Sequence, residues 1–92
     1  MKTIYKYLLN VSSIATSKFI FPAGAKIVHF DSVINELFIW VLQDTDMPKS
    51  NAITVRVFAT GQEVPDNYSY IGTCTMYSGK LIWHLFKDEK GA

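Results

Sequence analysis

The last third of the chain carries the pattern that most restricts its fold. Residues 68–77 and 80–86 are two runs rich in aromatic and β-branched side chains. The Ser78-Gly79 pair between them can supply the positive φ that a two-residue turn needs. The sequence therefore predicts a terminal β-hairpin closed by Ser78-Gly79, on which the rest of the chain pairs or packs. Gly72 interrupts the first run, which predicts a bulge or a close approach of another chain segment.

Shorter runs upstream predict five further strands and no helix. Apolar and polar residues alternate within these runs, and turn-forming residues separate one run from the next. No segment shows the periodicity of an amphipathic helix. We expect an all-β fold, a small antiparallel sandwich or partly open barrel of about seven strands. Residues 1–87 form one β-domain in this interpretation, and residues 88–92 form a frayed tail. The upstream strands are expected at residues 3–11, 18–21, 26–30, 36–43 and 53–59, with connections at 12–17 around Ile14, 22–24, 31–35 and 44–51.

Composition excludes several classes of partner. The formal net charge is +1, so the chain lacks the basic field of a duplex nucleic-acid binder and the acidic field of a DNA mimic. The longest apolar run, residues 37–42, is too short to span a bilayer, and no signal peptide is visible. Cys74 is the only cysteine, so an internal disulfide is impossible, and we expect a small buried side chain there. These features favour a soluble cytoplasmic protein without a membrane partner.

The sequence contains none of the familiar enzyme motifs. A Walker-type loop, a glycine-rich dinucleotide turn, a nucleophile elbow and a paired-histidine zinc motif are all missing. His29 and His84 lie far apart in sequence, so a zinc site would need carboxylates brought together by the fold. We therefore expect a protein that is not an enzyme and holds no cofactor and no metal.

Five residues are the candidates for contacting a ligand. Arg56, the only arginine, can hold a phosphate or carboxylate in bidentate fashion, or can lay its stem along neighbouring aromatic rings. Trp40 and Trp83 can serve as stacking platforms or fill the core. His84 can act as a base or occupy a partly covered sheet face, and Tyr70 is a further stacking residue.

Two strands are apolar on both faces, which predicts a homo-oligomer. A small sandwich cannot easily bury both sides of a strand within itself, so part of this surface should meet another subunit or a ligand. The opposed sets are Leu37, Ile39 and Val41 against Phe38, Trp40 and Leu42, and Leu81, Trp83 and Leu85 against Ile82 and Phe86.

Six short motifs run in order through nearly the whole chain. They are residues 1–7 (MKTIYKY), 22–27 (PAGAKI), 37–40 (LFIW), 55–61 (VRVFATG), 70–73 (YIGT) and 81–86 (LIWHLF). This series resembles a family of small proteins encoded by tailed bacteriophages and catalogued as a domain of unknown function. The resemblance implies a phage gene expressed in the cytoplasm of a bacterial host. It carries over no catalytic residue.

Such a source favours an accessory protein that binds a host component. The most concrete hypothesis is an anti-defence sponge that sequesters a nucleotide-derived immune signal. In that hypothesis Trp40, Trp83 or a tyrosine stacks on the base, and Arg56 and lysines hold the phosphates. The alternatives are a protein-binding inhibitor of a host defence complex, similar to anti-CRISPR proteins, and a minor structural part of the virion or its assembly machinery. A hydrolase without a recognisable motif stays open.

Overall fold

The computed structural model describes residues 1–11 and 15–90. Within these residues, seven antiparallel strands form a three-stranded sheet of order β1-β4-β3 and a four-stranded sheet of order β2-β5-β7-β6. The two sheets make an open, sandwich-like arrangement, which confirms the predicted all-β fold. The strands are β1 (Lys2–Leu8), β2 (Thr16–Pro22), β3 (Lys26–Val33), β4 (Glu36–Asp44), β5 (Lys49–Ala59), β6 (Tyr68–Met76) and β7 (Leu81–Asp88).

The core lies between the inner faces of the two sheets. Strand β4 shows why, because its alternation places Leu37, Ile39 and Val41 inward and leaves none of them exposed. The predicted alternation of β4 is therefore confirmed, and the structure determines which of its two opposed apolar sets faces the core. The inner face of the four-stranded sheet packs against these side chains, and its Val55, Val57 and Leu85 are also fully buried.

Strands β3 and β6 meet along one side of the sandwich, and each carries an irregularity there. The register of β3 shifts between Ile27 and His29, and that of β6 shifts between Tyr70 and Gly72. A Cβ placed on Gly72 would lie 3.8 Å from the Phe30 Cβ. The predicted irregularity at Gly72 is thus confirmed as a bulge. The Ser32 hydroxyl, also on β3, donates a 2.6 Å hydrogen bond to the Thr75 carbonyl of β6.

Among the described residues, the shortest hairpin turn connects β3 and β4. Val33 pairs with Glu36, so Ile34 and Asn35 alone form the turn, with φ of 49° and 60°. Two successive positive φ values are typical of a type I′ turn, whose twist matches that of the flanking strands. The predicted turn over residues 31–35 is wrong for 31–33, because those residues continue β3.

The predicted two-residue turn at Ser78-Gly79 is wrong. Met76 pairs with Leu81, so four residues, 77–80, connect β6 to β7. Tyr77 already has a positive φ of 52°, followed by 56° at Ser78 and 86° at Gly79. Tyrosine favours β-strands, so the sequence extends this strand to Tyr77. Because Tyr77 adopts a left-handed backbone conformation, β6 ends one residue earlier, at Met76.

Two predicted strand boundaries are also wrong. β1 ends at Leu8 and not at residue 11, although the Leu9 N–H still donates a 2.9 Å hydrogen bond to the Leu37 carbonyl. β5 begins at Lys49 and not at residue 53, because β2 extends to Pro22 and offers it a partner. The predicted loop 44–51 is therefore reduced to residues 45–48.

The predicted connection around Ile14 falls partly outside the described residues. Residues 12–14 are not described, and Thr16 and Ser17, assigned to the connection, belong to β2. At the other end, Asp88 is the last residue of β7, and the Glu89 N–H donates a 2.7 Å hydrogen bond to the Asn67 carbonyl. Residues 91–92 of the predicted frayed tail lie outside the described residues.

Candidate functional site

Three of the five candidate residues share the outward surface of the four-stranded sheet. Arg56 on β5 pairs with Phe86 on β7, and Phe86 pairs with Tyr70 on β6, so these side chains form one row across three strands. In the adjacent row Phe58 pairs with His84. We call this surface the aromatic face, and its members are Arg56, Phe58, Tyr68, Tyr70, His84 and Phe86.

Edge-to-face ring contacts hold the aromatic face together. Phe58 lies at its centre with only 1% of its surface exposed, although its side chain points away from the core between the sheets. Its ring centroid lies 5.4 Å from that of Tyr68 and 5.3 Å from that of Phe86. The Phe86 ring in turn lies 5.6 Å from Tyr70. These distances and steep interplanar angles are favourable for aromatic pairs, so the rings form one contiguous platform.

Arg56 lies across this platform. Its guanidinium carbon is 4.5 Å from the centroid of the Phe58 ring, a cation–π distance. The structure thus agrees with the possibility that the arginine stem follows neighbouring rings. A guanidinium is planar and can donate two parallel hydrogen bonds to an anion, which a lysine ammonium cannot do.

His84 is held in a row of hydroxyl groups. Its Nε2 lies 2.9 Å from Thr60 Oγ1, and its Nδ1 lies 2.9 Å from Thr73 Oγ1. Thr73 Oγ1 lies 2.7 Å from the Tyr70 hydroxyl. Because a neutral imidazole has one donor and one acceptor nitrogen, the orientation of one hydroxyl constrains the others along the row. This row orients Tyr70 and presents hydrogen-bonding groups beside the rings.

The two tryptophans lie elsewhere. Trp83 points inward, packs against the core cluster, and its Nε1–H contacts Met76 Sδ at 3.1 Å. Trp40 lies on the outward surface of the other sheet. The centroid of its ring lies 5.1 Å from that of the His29 ring and 6.2 Å from that of the Phe38 ring. The structure therefore brings together Arg56, His84 and Tyr70, and separates both tryptophans from them.

We call the outward surface of the three-stranded sheet the tryptophan face. It is partly covered by its own side chains, since Lys6 Nζ lies 4.6 Å from the centroid of the Phe38 ring. Ile4 and Leu8 at its margin are 52% and 55% exposed. Its members are Ile4, Lys6, Leu8, His29, Phe38 and Trp40, which the register of β1 and β3 on β4 places on one side.

Two concave clefts lie outside the aromatic face, and His29 of the tryptophan face lines one of them. One, of about 280 Å³, is lined by residues that include Lys2, Gly24 and Asp44. Another, of about 270 Å³, lies between the bulges of β3 and β6 and is lined in part by Phe30 and Gly72. None of the five candidate residues lines either cleft, so a ligand of the aromatic face would rest on an open sheet surface.

Sequence reasoning missed Phe58, Thr60 and Thr73. A signal for Phe58 was present, because it follows Arg56 by two residues on the same strand and must share its face. Thr60 and Thr73 lack such a signal, since their approach to His84 depends on how β5, β6 and β7 are aligned.

Cys74 lies on the inner face of β6 and is buried, as predicted. Burial raises the pKa of its thiol to about 11, and the negative charge of Asp31 adds to that effect. A thiol with so high a pKa carries almost no thiolate at neutral pH, so Cys74 is a poor nucleophile.

Residues 1–11 and 15–90 contain no cluster of three or more His, Cys, Asp or Glu side chains that could hold a metal ion. The same part of the chain contains no helix able to cross a bilayer.

Comparison with known families identifies one. The model of a family described as "Domain of unknown function (DUF7352)" matches residues 1–92, and the chain therefore belongs to this family. No curated protein and no solved structure matches the sequence. The family match extends over both the aromatic face and the tryptophan face.

Proposed function

We propose that this member of the DUF7352 family is a non-catalytic binding protein whose aromatic face takes a nucleotide-derived ligand. The observation that carries the proposal is the row formed by Arg56, Phe86 and Tyr70 across three strands. Its two ends supply the groups that such a ligand needs, a guanidinium for phosphate and an exposed ring for a base.

The spacing along the row suits one small ligand. Arg56 and Tyr70 are two strand spacings apart, or roughly 10 Å. That separation is comparable with the reach from the base of a mononucleotide to its phosphates. Tyr70 is exposed and its hydroxyl is held by Thr73, so its ring is available for stacking in a defined orientation. The His84 imidazole and its threonine partners lie beside the row and offer hydrogen bonds to a sugar or base edge.

Sequestration of a host signal is the role we propose for this binding. The resemblance to tailed-bacteriophage proteins supports a viral origin, and an open platform without a buried reaction chamber suits binding better than turnover. In this proposal the protein acts in the host cytoplasm as a sponge, by affinity and copy number.

A thermal-shift screen against linear, cyclic and ADP-ribose-type nucleotides tests the proposal. A ligand present at a hundredfold excess over its dissociation constant stabilises the fold by about 2.7 kcal/mol, which raises the melting temperature by several degrees. Arg56→Ala should abolish the shift, and Arg56→Lys should weaken it because lysine lacks the planar fork. Lys26→Ala, on the other sheet, is the matched control and should leave the shift unchanged.

Recovery of the ligand separates binding from turnover. Mass spectrometry of the molecule released on denaturation should find it intact after prolonged incubation. A cleaved product would contradict the non-catalytic part of the proposal. No shift with any member of the panel would contradict the nucleotide part.

A second candidate function follows from the tryptophan face. Its exposed Ile4 and Leu8 beside Trp40 suit a protein partner, as expected of an inhibitor of a host defence complex. Affinity purification from host lysate, with Trp40→Ala as the comparison, tests this alternative. A host protein retained by the wild type and lost with Trp40→Ala would favour it over nucleotide sequestration.

A further inference from the structure

Strand β1 exposes apolar side chains on both of its sides. Ile4 and Leu8 are about half exposed on the tryptophan face, and Tyr5, which points the other way, is 50% exposed. Packing another molecule against one face would cover only one of these sets. A strand added to the free edge of β1 would lie beside both sets at once.

The free edge of β1 has its own hydrogen-bonding groups available. The Leu9 N–H bonds the Leu37 carbonyl at 2.9 Å, and the Thr45 N–H bonds the Met1 carbonyl at 2.9 Å. Both bonds belong to the β1–β4 register, so the odd-numbered residues of β1 are those that bond β4. The N–H and C=O groups of the even-numbered residues, Lys2, Ile4, Lys6 and Leu8, therefore point away from the sheet.

The other edge strands carry features that oppose such pairing. β2 has a register shift at Phe21 and ends in Pro22, which has no N–H. β3 and β6 are both bulged, and they face each other across the Ser32–Thr75 hydrogen bond. β1 pairs with β4 without a register shift from Lys2 to Leu8.

A lysine on an edge strand commonly protects it from pairing, but Lys6 is turned aside. Its Nζ lies over the ring of Phe38, which belongs to β4, and this contact draws the ammonium group toward the sheet and away from the edge. The backbone groups of Lys6 are left accessible to another strand.

We propose that β1 pairs with β1 of a second copy, antiparallel and centred on Tyr5. This register places Lys2 opposite Leu8 and Ile4 opposite Lys6 of the other copy. The backbone N–H and C=O groups of all four even-numbered residues then form hydrogen bonds with the other copy. A shift of the register to either side leaves some of these groups without a partner.

Charge selects the same register. Centring the pair on Ile4 would set Lys2 opposite Lys6, and centring it on Lys6 would set that residue opposite itself. Like charges directly opposite are unfavourable, and the Tyr5-centred register avoids them. The dimer joins two three-stranded sheets into one of six strands, with both tryptophan faces on the same side. It leaves the aromatic faces free, so it is independent of the proposed ligand.

Cross-linking tests the register. Opposed Tyr5 residues form a non-hydrogen-bonded pair with Cα atoms about 4.5 Å apart, within the range that a disulfide bridges. Tyr5→Cys should therefore oxidise to a covalent dimer, and Thr3→Cys, the matched control on the same side of β1, should not. Cys74 is buried and does not compete. Equal cross-linking of both variants would overturn the proposed register.

Sedimentation equilibrium at micromolar concentrations tests the interface itself. The wild type should be dimeric. Ile4→Glu, which faces Lys6 of the other copy, should dimerise roughly tenfold more tightly than Ile4→Lys, since two symmetry-related charge pairs change from attraction to repulsion. Both variants remove the same apolar side chain. A monomeric wild type, or equal affinity of the two variants, would overturn the proposal.

Discussion

The two outward sheet faces share the same strand alternation, yet they differ in how completely they cover their own rings. Phe58 on the aromatic face is almost fully buried, whereas Phe38, at a comparable place on the tryptophan face, is only half-buried. Phe58 is enclosed by Arg56, Tyr68 and Phe86. Phe38 has Trp40 and the Lys6 ammonium as its neighbours. A sheet face can thus become a second small core when three adjacent strands place rings on it.

Truncating these two phenylalanines should give the largest difference between the faces. Phe58→Ala should lower the free energy of unfolding by about 3–4 kcal/mol, because it empties an enclosed site. Phe38→Ala should cost about 1–2 kcal/mol, since less apolar surface returns to water. Denaturant unfolding of both variants measures the effect. Equal losses would break the comparison and show that the tryptophan face is as tightly packed as the aromatic face.

A smaller effect is expected at the hairpins, which also distinguish the two sheets. The three-stranded sheet turns through Ile34, a β-branched residue at φ 49° that is 90% exposed, whereas the residues at positive φ in the β6–β7 connection are Tyr77, Ser78 and Gly79, none of them β-branched. Left-handed backbone costs such a residue about 1–2 kcal/mol. Ile34→Asn should therefore raise the free energy of unfolding by about 1 kcal/mol.

An exposed isoleucine on an ordinary strand provides the control. Ile20 is also exposed, but it lies within β2 at an extended backbone position. Ile20→Asn should leave stability unchanged or reduce it slightly, because asparagine is a poor strand residue. If both substitutions stabilise the fold equally, the gain at Ile34 does not come from relief of backbone strain.

The smallest effect is expected at the far end of the three-stranded sheet, where the Met1 amine contacts Asp46 and Asp44. The hydrogen bond to Asp46, followed by that to Asp44, raises the pKa of the amine above its ordinary 8.0. Its contribution to stability is fully present below pH 8.0 and is lost as pH rises through the raised pKa. With the amine free, the unfolding free energy should therefore fall slightly at alkaline pH.

Asp46→Asn should flatten that alkaline decline, and Asp66→Asn, an exposed acid elsewhere, should not. At the acid end, hydrogen bonds from the Met1 amine and then from the Asp46 N–H hold the pKa of Asp44 below its ordinary 3.8. That contribution is present above pH 3.8 and is lost as pH falls through the lowered value. Denaturant unfolding at a series of pH values measures how the free energy of unfolding declines at alkaline and at acid pH. If the alkaline decline is unchanged in Asp46→Asn, the Met1 amine is not its cause.

Alternation and turn chemistry were enough to predict the strands and the two opposed faces of β4, but not which of those faces points inward. They failed at the hairpin turns, since Ile34 and Tyr77 adopt positive φ where their side chains favour extended backbone. Register and strand order depend on contacts between distant segments, and a single sequence does not record them.

The candidate site shows the same limit. Arg56, Tyr70 and His84 were identified by residue type alone, and their sharing of one face follows from how β5, β7 and β6 align. The position of Trp83 was open for the same reason. Its neighbours in sequence suit either face, and only the pairing of Leu85 with Val57 in the core determines which side of β7 points inward.

The pairing of β1 with β4 and of β2 with β5 also determines the order in which the chain can fold during synthesis. Both N-terminal strands leave the ribosome before either partner exists. The three-stranded sheet is complete once β4 emerges in the first half of the chain, whereas the four-stranded sheet cannot begin until β5 emerges in the second half. Pairing between such distant segments typically places folding in the millisecond-to-second range. Until β4 emerges, Ile4, Tyr5 and Leu8 belong to an unpaired nascent segment.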